Sequence, residues 1–327
     1  MRTQPTDLDR ADLAAALAAG WGLEGAELTY VPEGAGSHHW RCRAGSEERF
    51  VSVDDLAAAT LAAANEDAMF ALLERAYGTA GALRDDAALG FVVSPIPDGD
   101  GRRLRRLGPR YAVRVAPVIA GSAGAFDDHD PETLGDVAAL VAELHGATGR
   151  VPAGLPAVAD LRIPWRAELE TALAEVAEPW TTGPLAEPAR ALLAARAGEV
   201  AERLGRHDAE TEGVLGTRAR WVVTHGEPHP GNVIRDPAGG LHLIDWDTAM
   251  IAPRERDLQA ILGDDDAGWD DYRAVAGAVE FDRDALGLYR RMWPLTDIAS
   301  YVTTLRRPHE ETEDTHLALE VLVEYLG

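Results

Sequence analysis

Trp221-Val222-Val223-Thr224-His225-Gly226-Glu227-Pro228-His229-Pro230-Gly231-Asn232-Val233-Ile234 decides how this chain is read, together with Leu241-His242-Leu243-Ile244-Asp245-Trp246-Asp247 just downstream. In both stretches a β-type apolar run adjoins a polar cluster. Buried strand residues would hold the ends still while Glu227, Asn232, Asp245 and Asp247 turn their oxygens toward one region. His225 and His229 have the spacing of a metal pair. Pro228 and Pro230 forbid the regular helix that a zinc-protease HExxH motif needs. Asn232 and Asp245 are oxygen ligands, which suit Mg²⁺ rather than zinc.

Upstream, the first third reads mainly as strand. Ala26–Val31, His38–Arg43 and Arg49–Val53 suggest an antiparallel meander, with Gly34-Ala35-Gly36-Ser37 in its first turn. Asp54-Asp55 offers an N-cap for a long helix over Leu56–Leu83. Phe91–Pro95 and Tyr111–Val115 add two strands. After Pro117 the pattern turns helical, over Pro131–Leu144, Ala167–Val176, Glu187–Leu204, Ala267–Val279, Ala285–Leu305 and Glu310–Leu326. The expectation is an α+β, bilobal chain. Residues 1–116 form a small antiparallel-sheet lobe with one long helix, and residues 117–327 form a larger, mainly helical lobe. A cleft between two lobes is the default ligand site.

Composition narrows the chemistry. The chain has 327 residues, with 31 Lys+Arg against 55 Asp+Glu and a formal net charge of −24. Every one of those cations is arginine; there is no lysine. That excludes a Walker A loop, a pyridoxal Schiff base and lysine-based aldol chemistry. The acidity argues against nucleic-acid or anionic-membrane partners and fits a cationic ligand, or an anion escorted by a metal. The single cysteine, Cys42, excludes an internal disulfide. The N-terminus has no signal-peptide pattern, and no apolar run spans a bilayer, so a soluble cytoplasmic protein is expected.

The two motifs resemble those of the aminoglycoside phosphotransferase family, small-molecule kinases with a protein-kinase-like fold, and look most like its actinobacterial, spectinomycin-kinase-like branch. In that family a His-Gly-Asp-x-His-x-x-Asn loop precedes an Ile-Asp-Trp-Asp or Ile-Asp-Trp-Glu motif. The resemblance runs from Gly34 to Tyr301. It implies that Glu227 occupies the place of the catalytic Asp, that Asn232, Asp245 and Asp247 are the Mg²⁺ set, and that Asp245 also serves catalysis. His225 joins the catalytic group, more as a brace of the loop than as a proton carrier. Gly34, Gly36 and Ser37 would cover the phosphates of ATP, with GTP as the alternative nucleotide. Ala116 and Val118 would face adenine, with the Val118 N–H as donor because Pro117 has none. Asp257 would anchor the start of the next helix.

Two positions depart from the family pattern. Glu227 is one methylene longer than Asp, a displacement on the order of 1 Å at the reacting atoms. Ser52 stands where the ATP-gripping lysine should be, in the third strand. Alternation puts Arg49 on the opposite strand face, a poor substitute, and leaves His38, His39, Arg41 and Arg43 as candidates. Glu66 and Glu74 lie on the helix that would offer the lysine's partner, and neither has an assigned role. For the acceptor, Asp264, Trp269, Asp270, Trp293, Asp297 and Tyr301 join Glu227 as candidates. Carboxylates beside aromatic faces suit a cationic sugar. The resemblance thus implies a kinase acting on a hydroxyl of a small cationic antibiotic, such as an aminoglycoside or aminocyclitol, in resistance or self-protection. The alternative is a degenerate kinase that binds nucleotide or ligand without turnover.

Overall fold

Alternation along the early strands builds a sheet with two unlike faces. The computed structural model describes residues 1–34, 36–57, 63, 65–125, 129–262 and 268–327. Helix α1 (Arg10–Trp21) precedes β1 (Glu27–Val31), β2 (Ser37–Ala44) and β3 (Glu47–Asp55). Helix α2 (Glu66–Asp85) follows, then β4 (Arg105–Leu107) and β5 (Tyr111–Pro117). The five strands are antiparallel, in the order β1-β2-β3-β5-β4. Trp40, Val51, Val53, Val113 and Val115 pack with Leu13 and Leu17 of α1 on one face. Period-2 alternation sends Ser52, Asp54, Ala112 and Arg114 to the other face, toward α2. There Ala112 joins Tyr77 in the core and the Arg114 guanidinium lies over the Tyr77 ring.

Helix α2 starts later than the sequence suggests. Asn65 caps it by accepting from the Ala68 N–H at 2.9 Å. Asp54 and Asp55 complete β3, where their carboxylates meet Arg114 and Arg110 and Asp55 Oδ1 also accepts from the Ala57 N–H at 3.0 Å; residues 58–62 and 64 of the expected helix lie outside the described residues. Phe91–Pro95 is not a strand of this sheet. Only Val92 makes an isolated bridge, to Leu243, while Leu243 N donates to Phe91 O at 2.8 Å and Val93 N to Leu243 O at 3.0 Å. The segment thus runs beside the second sequence motif and ties it to the first half of the chain. The fifth strand of the sheet is instead Arg105–Leu107.

The second half opens with β6 (Ser122–Ala123) and α3 (Pro131–Gly146), then β7 (Ala157–Val158), α4 (Arg166–Ala174) and α5 (Ala186–Leu215). Next come four short strands, β8 (Val222–Thr224), β9 (Val233–Arg235), β10 (Leu241–Leu243) and β11 (Met250–Ala252). Helices α6 (Glu255–Leu258), α7 (Trp269–Ala276), α8 (Arg283–Arg306) and α9 (Glu313–Leu326) complete it. The short strands form two small sheets, β10-β9-β6 and β7-β11-β8, between which the motif loops emerge. One apolar core runs from α2 through α3 to Val223, Leu243 and Trp246, so the motif strands are anchored in the main core. A second core lies among α4, α5, α8 and α9. This is the expected mixed α+β plan. Helix α5 runs eleven residues beyond its expected end at Leu204, with His207 and Val214 buried along the extension. None of the described helices is long and apolar enough to cross a membrane.

Candidate active site

The loop between β8 and β9 is held by one buried carboxylate. Asp257, on α6, is fully buried and accepts from the His225 N–H at 2.9 Å and the Gly226 N–H at 2.6 Å. His145 on α3 donates from Nε2 to the same carboxylate at 3.0 Å, and Tyr272 Oη lies 2.7 Å from His145 Nδ1. Burial alone would raise the Asp257 carboxyl, but His145, Arg256 and His225 more than offset it and hold it below the usual range. Asp257 therefore anchors the catalytic loop as well as standing in α6. Gly226 has φ +108°, and a Cβ there would fall 2.2 Å from Arg256 Nη2. Arg256 is in turn fixed on Thr224 Oγ1 at 2.9 Å, so only glycine suits the position.

His225 is a brace. Its Nε2 donates to Ile244 O at 2.8 Å, its Nδ1 accepts from the Glu227 N–H at 3.2 Å, and its ring stands edge-on to Trp246. Both nitrogens are thus committed to the backbone, the bonding a brace of the loop requires. Burial, only partly countered by Asp257, lowers its imidazole to about 4 and keeps it neutral.

The four polar candidates converge on one side of this brace. Asn232 is buried, and its Nδ2 donates to Glu227 O at 3.0 Å, which leaves Oδ1 as the end of the amide suited to a cation. Ile244 N donates to Asn232 O at 3.0 Å, tying the two motifs together. Asp245 sits at φ +63°, in the left-handed region, where a non-glycine residue is strained. Burial pushes the Asp245 carboxyl up; Arg114 opposes this, while Glu227 and Asp54 add to it. Asp247 is pushed well up, first by burial and then by Asp245 and Glu227. Glu227 differs. Burial raises it, but His229, His225 and Arg256 outweigh that and keep it below the usual range, with His229 Nε2 3.9 Å from its Oε2. One acid in the cluster is thus held ionised while two repel each other.

That donor set fits Mg²⁺. Two mutually repelling carboxylates and an amide oxygen are hard ligands, and Mg²⁺ ordinarily takes one or two carboxylates and completes its shell with phosphate and water. Among the described residues no group of three or more His, Cys, Asp or Glu side chains could hold a metal ion by itself.

On the other wall, Gly34 and Gly36 have φ of +78° and +85°. A Cβ on Gly34 would lie 3.2 Å from His39 Nε2, so the loop passes directly over that ring. The Ser37 hydroxyl is spent on Asp54 Oδ1, at 2.6 Å, and leaves only backbone for a phosphate. Ser52 Oγ pairs with His39 Nδ1 at 3.0 Å. Burial, with Arg114 and other positive neighbours, lowers His39 to about 3, so it carries no charge. The remaining stand-ins for a lysine also fall away. Arg43 pairs with Glu48 and Arg49 with Glu47, Arg41 is exposed, and His38 lies beside Tyr30 Oη at 3.1 Å. The residue that sequence reasoning missed is Arg114. It donates from Nη1 to Asp54, and its Nη2 lies 3.4 Å from Asp245 Oδ1. The signal was a lone cation in the apolar run of β5. Ala116 and Pro117 still pair with Phe50 and Arg49, so the expected adenine contact at Ala116 and Val118 begins within the end of β5.

The acceptor candidates divide. Asp297 and Tyr301 lie on α8 within the electrostatic reach of Glu227. Tyr325 of α9, absent from the sequence-based set, donates to Asp297 Oδ2 at 3.0 Å and also meets Trp293. Burial, with Glu227 and Glu324 adding their charge, lifts Asp297 to about 7. Trp269 instead stacks on Tyr272 and Phe281 as part of the main core, with Asp270 beside it in the first turn of α7. The twelve-degree stack of Trp269 on Tyr272 gives Trp269 a packing role in place of an acceptor contact. Asp264 lies outside the described residues.

A glycine turn beside a sheet, a braced loop that carries Glu227 and a cluster of oxygen donors are the parts that a kinase-type phosphotransferase site needs. The profile of the phosphotransferase enzyme family (APH) matches residues 27–295, and the chain belongs to that family and is a small-molecule phosphotransferase by class. Protein StrN of Streptomyces griseus is 28% identical over 255 residues, covering 75% of this chain and 74% of StrN. In fold the chain is similar to spectinomycin phosphotransferase APH(9)-Ia in complex with ADP and spectinomycin. That match has TM-score 0.75 and 15% identity, over 98% of this chain and 95% of that one. It is also similar to a microcompartment-associated aminopropanol kinase, with TM-score 0.62 and 15% identity over 97% and 95% of the two chains.

The brace makes a pH prediction. His225 titrates at about 4 when folded and near 6.5 when unfolded, so across that window the unfolded chain binds the extra proton. Stability is full above about 6.5 and falls as pH drops toward 4, by about 3 kcal/mol for this group. Urea unfolding across the window should show the fall, and His225→Gln should flatten it. Equal slopes in the two proteins would contradict the brace.

Proposed function

We propose that the protein is a Mg·ATP-dependent kinase that phosphorylates a hydroxyl of a small cationic acceptor, of the aminocyclitol or aminoglycoside kind, in antibiotic resistance or self-protection. The observation that carries this is the convergence of Glu227, Asn232, Asp245 and Asp247 on one side of the braced loop, beside the acidic, aromatic end of α8. In this reading residues 1–116 form the nucleotide lobe and residues 117–327 the catalytic and acceptor lobe.

The chain's own residues divide the work. Backbone N–H groups at Gly34, Gly36 and Ser37 cover the phosphates. Ala116 and Val118 receive adenine. Glu227, held ionised, orients the acceptor hydroxyl and takes its proton as the oxygen attacks the γ-phosphorus. The bond from that phosphorus to the β–γ bridging oxygen breaks, and ADP leaves with the electron pair. Asn232, Asp245 and Asp247 would hold Mg²⁺, which would supply positive charge against the phosphates. Glu227 reaches one methylene further than Asp, and the loop that carries it is stiffened by Pro228 and Pro230 and clamped by Asp257. That rigid setting suits a longer side chain. Asp297, with Trp293, Tyr301 and Tyr325 around it, meets an acceptor cation by charge and by ring face.

Purified protein with Mg·ATP and a panel of aminocyclitols and aminoglycosides should release ADP with at least one acceptor. Asp245→Asn should abolish that turnover without unfolding the protein. Glu227→Gln should lower kcat by roughly 10²–10⁴-fold. Nucleotide binding with no turnover on any acceptor would overturn the kinase assignment in favour of a binding module.

Asp297 gives a second test. Its carboxyl ionises near pH 7, so its negative charge grows as pH rises through that value. For a cationic acceptor KM should fall between about pH 6 and pH 8. Asp297→Asn should raise KM and remove this pH dependence while kcat changes little. A pH-independent KM in the wild type would exclude Asp297 as the cation's partner.

A further inference from the structure

With no lysine anywhere in the chain, the positive charge on the nucleotide's phosphates has to come from elsewhere. Ser52 cannot supply it, and His39 beside it is neutral. Directly across the ladder from Ser52, however, stands Arg114 of β5. Its side chain is only 8% exposed, and it reaches the cleft from the adjacent strand. Three groups aim it. Asp54, two residues along β3 from Ser52, accepts from Nη1. Tyr77 of α2 lies beneath the guanidinium, 4.7 Å from Cζ to ring centre. Asp245 Oδ1 lies 3.4 Å from Nη2. Asp54 also accepts the Ser37 hydroxyl at 2.6 Å, so the same carboxylate ties the guanidinium to the glycine loop. Helix α2 offers no carboxylate here, since Glu66 and Glu74 are both exposed.

We propose that Arg114 is the phosphate-gripping cation of this enzyme, carried on β5 instead of β3, with Asp54 as its positioning partner. The inference rests on the kinase reading above and names a residue that reading leaves open. A guanidinium presents a planar fork of N–H donors that matches two phosphate oxygens, and it never loses its charge. Its length lets it cross one strand spacing, about 4.8 Å, into the place opposite Ser52. The 3.4 Å approach to Asp245 is a long ion pair, which a phosphate oxygen can replace at small cost. The guanidinium then faces phosphate on one side and the oxygen donors of the second motif on the other. The role of a strand lysine and helix glutamate is here taken by an arginine and an aspartate on neighbouring strands of one sheet, with α2 contributing the Tyr77 ring in place of a carboxylate.

Calorimetric titration of the whole protein with ATP and with adenosine, in Mg²⁺, separates this from a structural role. Arg114→Met should weaken ATP binding about 10- to 100-fold and leave adenosine binding unchanged. Arg114→Lys should retain part of the ATP affinity. In the double variant Ser52→Lys/Arg114→Met the cation is moved across the ladder, and ATP affinity should recover at least about tenfold. If Arg114→Met fails to fold because Asp54 is left buried and charged, Arg114→Gln combined with Asp54→Asn carries the same comparison. ATP affinity within about twofold of wild type in the folded variant would overturn the proposal, and so would equal losses of ATP and adenosine. A wild-type protein that binds neither ligand would instead overturn the kinase reading itself.

Discussion

Four carboxylates, those of Asp54, Glu227, Asp245 and Asp247, share one cleft and act on one another. Like charges at such separations cannot all remain ionised without positive charge among them. The structure meets this constraint with arginines and polar neighbours placed at its edges. Arg114 stands between Asp54 and Asp245, and His229 and Arg256 act on Glu227. The arrangement keeps Glu227 ionised and leaves Asp245 and Asp247 pushed up, a state that an added divalent cation would relieve.

A second level of support sits behind those acids and is wholly buried. The carboxylate of Asp257 accepts two successive backbone N–H groups of the catalytic loop and one imidazole N–H. His225 then bridges the loop to Ile244. Buried polar groups that are all satisfied fix a unique backbone, and this chain of bonds runs from Tyr272 through His145 and Asp257 to the two motifs. It explains how strands of only three residues can hold the two motifs in place. β8, β9 and β10 are too short to be rigid alone, but β8 is held by Thr148 on the Val223 N–H and by Asp257 just beyond its end, and β10 by the Phe91 and Val93 backbone.

The departures from the family pattern are of different kinds. Glu in place of Asp lengthens one arm on a loop stiffened by prolines and clamped from below, which is a local change. The loss of the strand lysine reorganises a whole wall. Ser52 turns to His39, Ser37 turns to Asp54, and Arg114 of the neighbouring strand pairs with Asp54. Helix α2 then contributes an aromatic face in place of a carboxylate.

Much was legible in the residues themselves. Two motifs in fixed order placed Glu227, Asn232 and Asp245 near one another, because short apolar strands with polar ends leave few other arrangements. The prolines at 228 and 230 excluded a zinc helix, and the missing lysine was plain. Alternation placed Arg49 on the wrong face of β3, and its pairing with Glu47 agrees. Other features depend on contacts distant in sequence and have no local signature. Asp54 and Asp55 look like a helix cap until Arg114 and Arg110, some 60 residues on, draw them into the sheet as ion pairs. Trp269 looks like a ligand face until Phe281 and Tyr272 are seen to pack on it. Tyr325 joins Asp297 only because α9 folds back on α8. Local propensity and spacing determined which residues could carry the chemistry; which cation faces which acid was decided by tertiary packing, because charge pairing depends on distance through space and not on separation along the chain.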